Sequence, residues 1–135
     1  MPALPWVEGH SIDANGDYAA MASYLPLKSY RSIPGFLRDV LRIRRQLAHT
    51  PGLVGYALNA QLARKTFWTF SVWDDEASIA TFAATDPHQR ITRALQPRMG
   101  TTKFEFFPIA GSALPMTWEQ MKAPVNPQPA RQDQP

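Results

Sequence analysis

The chain has 135 residues, 44% of them hydrophobic and 19% charged, a length and balance that predict one domain with its own core. It contains no cysteine, which excludes a disulfide scaffold, a thiol nucleophile and a thiolate metal site and favours the reducing cytoplasm. The net charge of +3 is too small to indicate a nucleic-acid partner. Neither an export signal nor an apolar run long enough to span a bilayer is visible, so no membrane partner is expected.

Proline and glycine content divides the chain into three parts. Residues 1–17 carry two prolines and two glycines and are predicted to form an irregular arm. Residues 18–110 hold the periodic apolar segments and form the predicted domain. Residues 111–135 are rich in proline and are predicted to be a loosely held tail, although Met116, Trp118 and Met121 allow one apolar turn that docks on the domain or on a partner.

The first half of the domain alternates strand and helix patterns. Residues 18–27 alternate as a strand does, and Ser32 is placed to cap a helix that Thr50-Pro51-Gly52 ends. Residues 53–62 and 65–73 are two strand-like runs close enough in sequence to form an antiparallel hairpin.

The second half begins with two helix start signals. Asp74 is a natural N-cap for a helix whose buried stripe includes Ile79 and Phe82. Asp86 and Pro87 repeat the signal and predict a second, short helix. Two consecutive short helices therefore follow the hairpin.

Residues 102–108 are the last predicted strand, which completes the order strand, helix, strand, strand, helix, strand. This order predicts an α+β fold, a ferredoxin-like βαββαβ sandwich in which the helices cover one face of an antiparallel sheet. The opposite face is then left bare.

Large apolar side chains occupy both parities of the run KTFWTFSVW, so the bare face carries aromatics whichever way the strand is turned. One parity presents Trp68, Phe70 and Val72, and the other presents Phe67 and Trp73. Exposed patches of this kind mark an interaction surface, and a second copy of the chain is the simplest cover. We therefore predict a homodimer formed through the sheet.

His88 is the candidate catalytic residue. It shares a helical face with Ile91 and Leu95, which predicts that it points into the cleft between helices and sheet, where a histidine can act as a general base. The alternative is that it only packs and forms hydrogen bonds there.

A mostly apolar cleft with a few polar groups suits a small apolar ligand. Thr69 and Ser71 share a strand face with Phe67 and Trp73, and Asn59 on the neighbouring strand could add an amide. Each hydroxyl taken singly also simply suits a strand. The predicted ligand-binding residues are Tyr24, Asn59, Phe67, Thr69, Ser71, Trp73 and Phe82. No metal-ligand motif is present, so no metal site is expected.

Three segments together resemble a known superfamily: PGLVGY at 51–56, FWTFSVWD at 67–74, and the Ala-rich helix with Phe82 and the nearby His88. Residues 18–107 resemble the dimeric α+β barrel superfamily, with the closest likeness to antibiotic-biosynthesis-monooxygenase-like domains and the related DUF3291 group. The resemblance implies a homodimer and a small-molecule monooxygenase that works without a cofactor on an apolar aromatic or polycyclic metabolite.

The same superfamily contains haem-degrading enzymes, which use an asparagine on the first strand and, on the second helix, a tryptophan and a haem-ligating histidine. Here residues 18–27 contain no asparagine, Phe82 stands at the tryptophan position, and His88 lies near the histidine position. Haem ligation by His88 is the remaining cofactor expectation.

Two other functions stay open. A non-catalytic dimer that binds an apolar metabolite needs the same cleft. An RNA-binding module of the RRM type shares the strand order and aromatic strand, but KTFWTFSVW lacks the glycine of the RRM motif.

Overall fold

The computed structural model describes residues 3–9, 11–114 and 116–125. Its strands are β1 (Ala3–Glu8), β2 (Asp17–Pro26), β3 (Leu53–Gln61), β4 (Thr66–Trp73) and β5 (Lys103–Ala110). Its α-helices are α1 (Ile33–Leu47), α2 (Glu76–Ala83), α3 (His88–Leu95) and α4 (Trp118–Lys122). Within these described ranges no helix is long and apolar enough to cross a bilayer.

The strands form one antiparallel sheet in the order β1-β3-β4-β2-β5. The predicted α+β, ferredoxin-like βαββαβ arrangement is confirmed between β2 and β5. β1 is an additional strand at the edge next to β3. The dimer stays a prediction.

The two faces of the sheet follow from the alternation of side chains along each strand. We call one the cleft face; on β4 it carries Phe67, Thr69, Ser71 and Trp73, and it packs against α1, α2 and α3. We call the other the rear face; on β4 it carries Trp68, Phe70 and Val72. The pairing register thus settles which parity of KTFWTFSVW meets the helices.

The rear face is covered by the chain itself, which corrects the expectation of a bare surface. Phe70 and Val72 have no exposed surface, and both belong to a buried cluster that includes Met121 and Val125 from the C-terminal segment. Trp6 from β1 packs against the same cluster, with its ring centroid 6.5 Å from that of Phe70. A second copy of the chain is therefore not needed to cover this face, and the predicted dimer loses that argument.

Within the predicted irregular arm, Ala3–Glu8 form an edge strand, while residues 11–16 are irregular as predicted. β1 pairs with β3 in an antiparallel ladder, and an edge strand tolerates its proline, Pro5. The ring of Trp6 lies over Gly55, where an added Cβ would come within 2.0 Å of the indole. Local composition missed this strand because its stability comes from the ladder and from a contact that only a glycine allows.

In the C-terminal segment residues 116–125 pack on the domain, which corrects the prediction of a loosely held tail for these residues; residues 115 and 126–135 lie outside the described residues. α4 begins with a capping box in which Thr117 Oγ1 accepts from Gln120 N and Gln120 Oε1 accepts from Thr117 N. Lys122 Nζ lies 4.1 Å from the ring centroid of Trp68. The apolar turn allowed by the sequence thus docks on the rear face.

The predicted N-cap of α1 is confirmed in position but makes no capping hydrogen bond, and the predicted N-cap of α2 shifts by one residue. Ser32 occupies the N-cap position of α1 without a capping hydrogen bond, while Ser29 caps the 3-10 turn just before it. At α2 the cap is Asp75 rather than Asp74, because the Asp75 carboxylate accepts from both the backbone N–H and the hydroxyl of Ser78. These hydrogen bonds lower the pKa of Asp75.

Candidate functional site

A cavity of about 870 Å³ lies between the cleft face and helices α1 and α3. Its floor is formed by β2 and β4, its roof by the helices, and its open side by β5. The volume falls in the range of sites for small organic ligands. Apolar side chains that line it include Met21, Leu25, Val40, Ile43, Ile79 and Phe82.

The floor of the cavity carries three hydroxyls. Ser23 and Thr69 are direct cross-strand partners, and their hydroxyl oxygens share a short hydrogen bond. Ser71, two residues along β4, accepts a 2.8 Å hydrogen bond from Trp73 Nε1. Ser23 and Ser71 are both buried, so these groups sit where the surroundings are otherwise apolar.

His88 begins α3 and lines the cavity wall, one position earlier in its helix than the sequence suggested. Its Nδ1 lies 3.3 Å from the carbonyl oxygen of Ala83, so Nδ1 carries the proton of the neutral ring and Nε2 is the nitrogen free to accept one. Its backbone N–H donates to Gln46 Oε1 at 3.0 Å, which ties α3 to α1. Burial lowers the pKa of His88, and the Ala83 carbonyl opposes this shift more weakly. The imidazole is therefore held neutral.

Three aromatic rings lead from the floor to His88. The Trp73 and Phe82 ring centroids are 5.2 Å apart, and those of Phe82 and His88 are 4.7 Å apart. Such tilted contacts fix ring positions. A planar apolar ligand in the cavity would therefore meet a continuous aromatic wall ending at the imidazole.

The structure brings together five of the eight predicted site residues around the cavity. These five are Thr69, Ser71, Trp73, Phe82 and His88. Phe67 lies on the cleft face but below the cavity, fully buried, with its ring centroid 4.2 Å from that of Phe36. It supports the floor without lining it.

Tyr24 and Asn59 do not join this group. Both are register partners of Trp68, so all three side chains point to the rear face. The Tyr24 ring packs on Trp68 with centroids 5.2 Å apart, and Asn59 Oδ1 is buried without a hydrogen-bond partner among the described residues. Tyr24 and Asn59 would line the cleft only if β2 and β3 turned their other faces to the helices. The sequence alone could not exclude that orientation.

The sequence analysis did not identify several polar residues of the cavity, among them Ser23, Tyr56 and Arg44. Tyr56 stands opposite Ser71 in the β3/β4 ladder, and its hydroxyl accepts from Arg44 Nε at 3.4 Å. Ser23 alternates with Met21 and Leu25 along β2, so its face could be inferred. Its pairing with Thr69 depends on the register, which no local pattern gives.

The open side of the cavity is lined by β5, an edge strand in this chain. Phe104 and Phe106 project from the cleft face there and remain 50% and 54% exposed. No cluster of His, Cys, Asp or Glu able to hold a metal ion exists in the part of the chain that the structure describes.

No protein-family model matches the chain, and no curated protein matches it by sequence. Solved structures do match by fold. A mutant of SnoaB, a cofactor-independent oxygenase from Streptomyces nogalater, has 18% identity and a TM-score of 0.59, with 73% of this chain and 98% of that chain covered. A crystal structure described as an antibiotic biosynthesis monooxygenase has 14% identity and a TM-score of 0.60, covering 66% and 95% of the two chains.

LmHde, a haem-degrading enzyme from Listeria monocytogenes, also matches, with 23% identity and a TM-score of 0.59. The match covers 77% of this chain and 67% of LmHde. The fold is therefore that of the antibiotic-biosynthesis-monooxygenase-like ferredoxin-fold proteins, as the sequence resemblance predicted. Identities this low establish the fold alone, because one fold hosts many activities.

Proposed function

We propose that the protein is a small-molecule monooxygenase that binds an apolar aromatic or polycyclic metabolite in the cavity and oxygenates it without a cofactor. One observation carries the proposal: a neutral histidine with a free Nε2 stands at the end of an aromatic wall in a largely apolar cavity. That arrangement suits proton removal from a weakly acidic carbon whose ring system stacks on the wall.

The reaction is balanced with O₂ as the oxidant. A CH₂ group between two aromatic rings loses a proton to His88 Nε2, and the resulting carbanion reduces O₂. One oxygen atom ends as a carbonyl on the substrate carbon, and the other leaves as water. The CH₂ group gives up four electrons and O₂ accepts four, so no external reductant is consumed.

The cavity would assist in two ways. Apolar walls exclude water, which would otherwise protonate the carbanion, and the Trp73 and Phe82 rings would orient the substrate beside the imidazole. Burial keeps His88 neutral and thus ready to accept a proton near neutral pH.

Anthrone, a tricyclic compound with such a CH₂ group, tests the proposal. We expect the protein to consume one O₂ per anthrone and to form anthraquinone. An oxygen electrode measures the first quantity and absorbance the second. His88→Ala should lower kcat by about 10²- to 10⁴-fold. His49→Ala, which removes an exposed histidine at the end of α1, is the control. Undiminished turnover in His88→Ala would remove the assigned role.

Haem binding is a second candidate, favoured by the same histidine. A ring whose Nδ1–H is held by a backbone carbonyl presents Nε2 as a ligand, and Arg44 and Arg93 on the cavity lining could pair with propionates. Bound haem would supply redox chemistry. Titration with haemin would then give a Soret band that His88→Ala shifts or abolishes, whereas an unchanged haemin spectrum rejects this candidate.

We also propose that the protein is a homodimer, now on a different ground. The β5 edge leaves its backbone unpaired and exposes Phe104 and Phe106, a combination that favours association. Sedimentation equilibrium should give the mass of a dimer, and Phe106→Ser should weaken the association of the two copies. A monomer at all concentrations contradicts the proposal. A dimer that binds aromatic ligands without turnover would point to a binding protein.

A further inference from the structure

The hydroxyls on the cavity floor have more protons to donate than acceptors to receive them. We infer that the ligand presents hydrogen-bond acceptor oxygens, such as an aromatic carbonyl, to Ser71 and to the Ser23–Thr69 pair, which set its specificity. This inference rests on the proposed ligand cavity but not on oxygenation.

Ser71 is the clearest case. Its Oγ accepts from Trp73 Nε1 at 2.8 Å, and an indole nitrogen can only donate. The Ser71 proton is therefore not used in this contact, and among the described residues it has no other acceptor. Since Ser71 is 7% exposed and lines the cavity, the cavity is where an acceptor would lie.

The Ser23–Thr69 pair gives the second unused proton. Two hydroxyls that bond to each other use one proton between them, whichever of the two donates. The other proton has no acceptor among the described residues. Thr69 and Ser71 lie on the same face two positions apart, so the two available donors are roughly 7 Å apart along β4.

Tyr56 adds a third donor on the same side. Its hydroxyl accepts from Arg44 Nε, which leaves the phenolic proton free, and the register sets Tyr56 directly opposite Ser71. The donors therefore lie along one stretch of the floor and its β3 wall. Residues Met21 and Leu25 flank them with apolar surface.

Unused donors impose selectivity because a buried hydroxyl without a partner is costly. In the empty cavity water can accept these protons. An apolar ligand without oxygen would displace that water and leave the donors unpaired, whereas a carbonyl oxygen would replace it. Sites built to hydrogen-bond a ligand reject close analogues that lack the matching group.

A matched ligand pair, 9-fluorenone and fluorene, differs in having C=O or CH₂ at one ring position and tests the inference by isothermal titration calorimetry. Oxygen is excluded from the titration, because the proposed reaction would convert fluorene into fluorenone. We expect fluorenone to bind about 3- to 10-fold more tightly for each donor it satisfies. One carbonyl oxygen reaches only one of two donors that lie about 7 Å apart, so either Ser71→Ala or the double variant Ser23→Ala/Thr69→Val should reduce this ratio towards one, chiefly by weakening fluorenone. Fluorene affinity should stay nearly constant.

Thr66→Val is the control, because Thr66 belongs to the same strand but points to the rear face, and its hydroxyl is buried without a partner. The double variant Ser23→Ala/Thr69→Val removes both hydroxyls of the pair, because either single change leaves the other hydroxyl with its proton unused. Equal affinities of the wild-type protein for fluorenone and fluorene, or an unchanged ratio in both Ser71→Ala and the double variant, overturn the inference. If neither ligand binds, the inference and the proposed cavity fail together; selective fluorenone binding without anthrone turnover would reject only the oxygenase.

Discussion

The two faces of the sheet are both buried, but they are covered in different ways and with different results. Three helices cover the cleft face at a distance that leaves a cavity, while the Trp6 side chain and the C-terminal segment pack directly on the rear face. On the cleft face the buried hydroxyls of Ser23 and Ser71 have partners. On the rear face Trp6 Nε1, Asn59 Oδ1 and Trp68 Nε1 are buried without partners among the described residues.

This difference indicates that the rear face serves stability and that the cleft face is the candidate for ligand binding. The rear face is a core formed by contiguous apolar side chains, and its polar atoms are a cost of that packing. The cleft face gives up packing around a cavity and keeps hydrogen-bonding groups there. A ligand site is to be expected where burial is incomplete and polar groups converge, not where apolar residues are densest.

The largest effect should come from comparing Phe67 and Phe70, which are fully buried on opposite faces. If the rear face is a true core of the single chain, Phe70→Ala should cost about 3–5 kcal/mol of unfolding free energy, as Phe67→Ala does. Urea denaturation of both variants measures this. A much smaller loss for Phe70→Ala would mean that the rear face is not covered in solution.

Removing one side chain of the C-terminal cover should have the next largest effect. Met121 lies on the buried side of α4 and is 5% exposed, so Met121→Ala should cost about 2–5 kcal/mol of unfolding free energy. Glu119→Ala, an exposed change in the same helix, is the control. Equal unfolding midpoints for the two variants would support the original prediction that the C-terminal segment is loosely held.

The cleft face should make stability depend on pH through His88. Its folded pKa lies below the unfolded value of 6.5, so the unfolded chain binds more protons between the two values. Stability contributed by neutral His88 is present above about pH 6.5 and is lost as the pH falls through this window. The melting temperature should fall between pH 7.5 and pH 5. His88→Gln should make this fall smaller, and the control His49→Gln should leave it unchanged.

The smallest effect should come from the unpartnered hydroxyl of the rear face. Thr66→Val removes a buried oxygen that has no hydrogen bond, so stability should stay constant or rise by up to about 1 kcal/mol. Thr69→Val breaks the bond to Ser23 and should instead cost about 1 kcal/mol. Chemical denaturation distinguishes the two signs, and a clear loss in Thr66→Val would indicate an undetected partner for that hydroxyl.

Some features of the termini could have been predicted and were not. The sequence Thr117-Trp-Glu-Gln120 matches the capping-box pattern, and the structure contains that box. β1 gave no comparable pattern, because Pro5 interrupts it and its ladder partners lie 47 to 56 residues away in β3. Composition predicted an arm and a tail, whereas tertiary contacts order Ala3–Glu8 of the one and residues 116–125 of the other.

Local sequence by itself determined the elements from β2 to β5 and hence the ferredoxin-like fold, because periodicity, capping residues and turn residues act over a few positions. It also limited the candidate base to His88 on the face of α3 that meets the sheet. Only the tertiary structure decided which parity of β4 faces the cavity. The same register places Tyr24 and Asn59 on the rear face and pairs Ser23 with Thr69. A strand rich in apolar residues on both sides has no internal preference, so its orientation depends on the register with its neighbours.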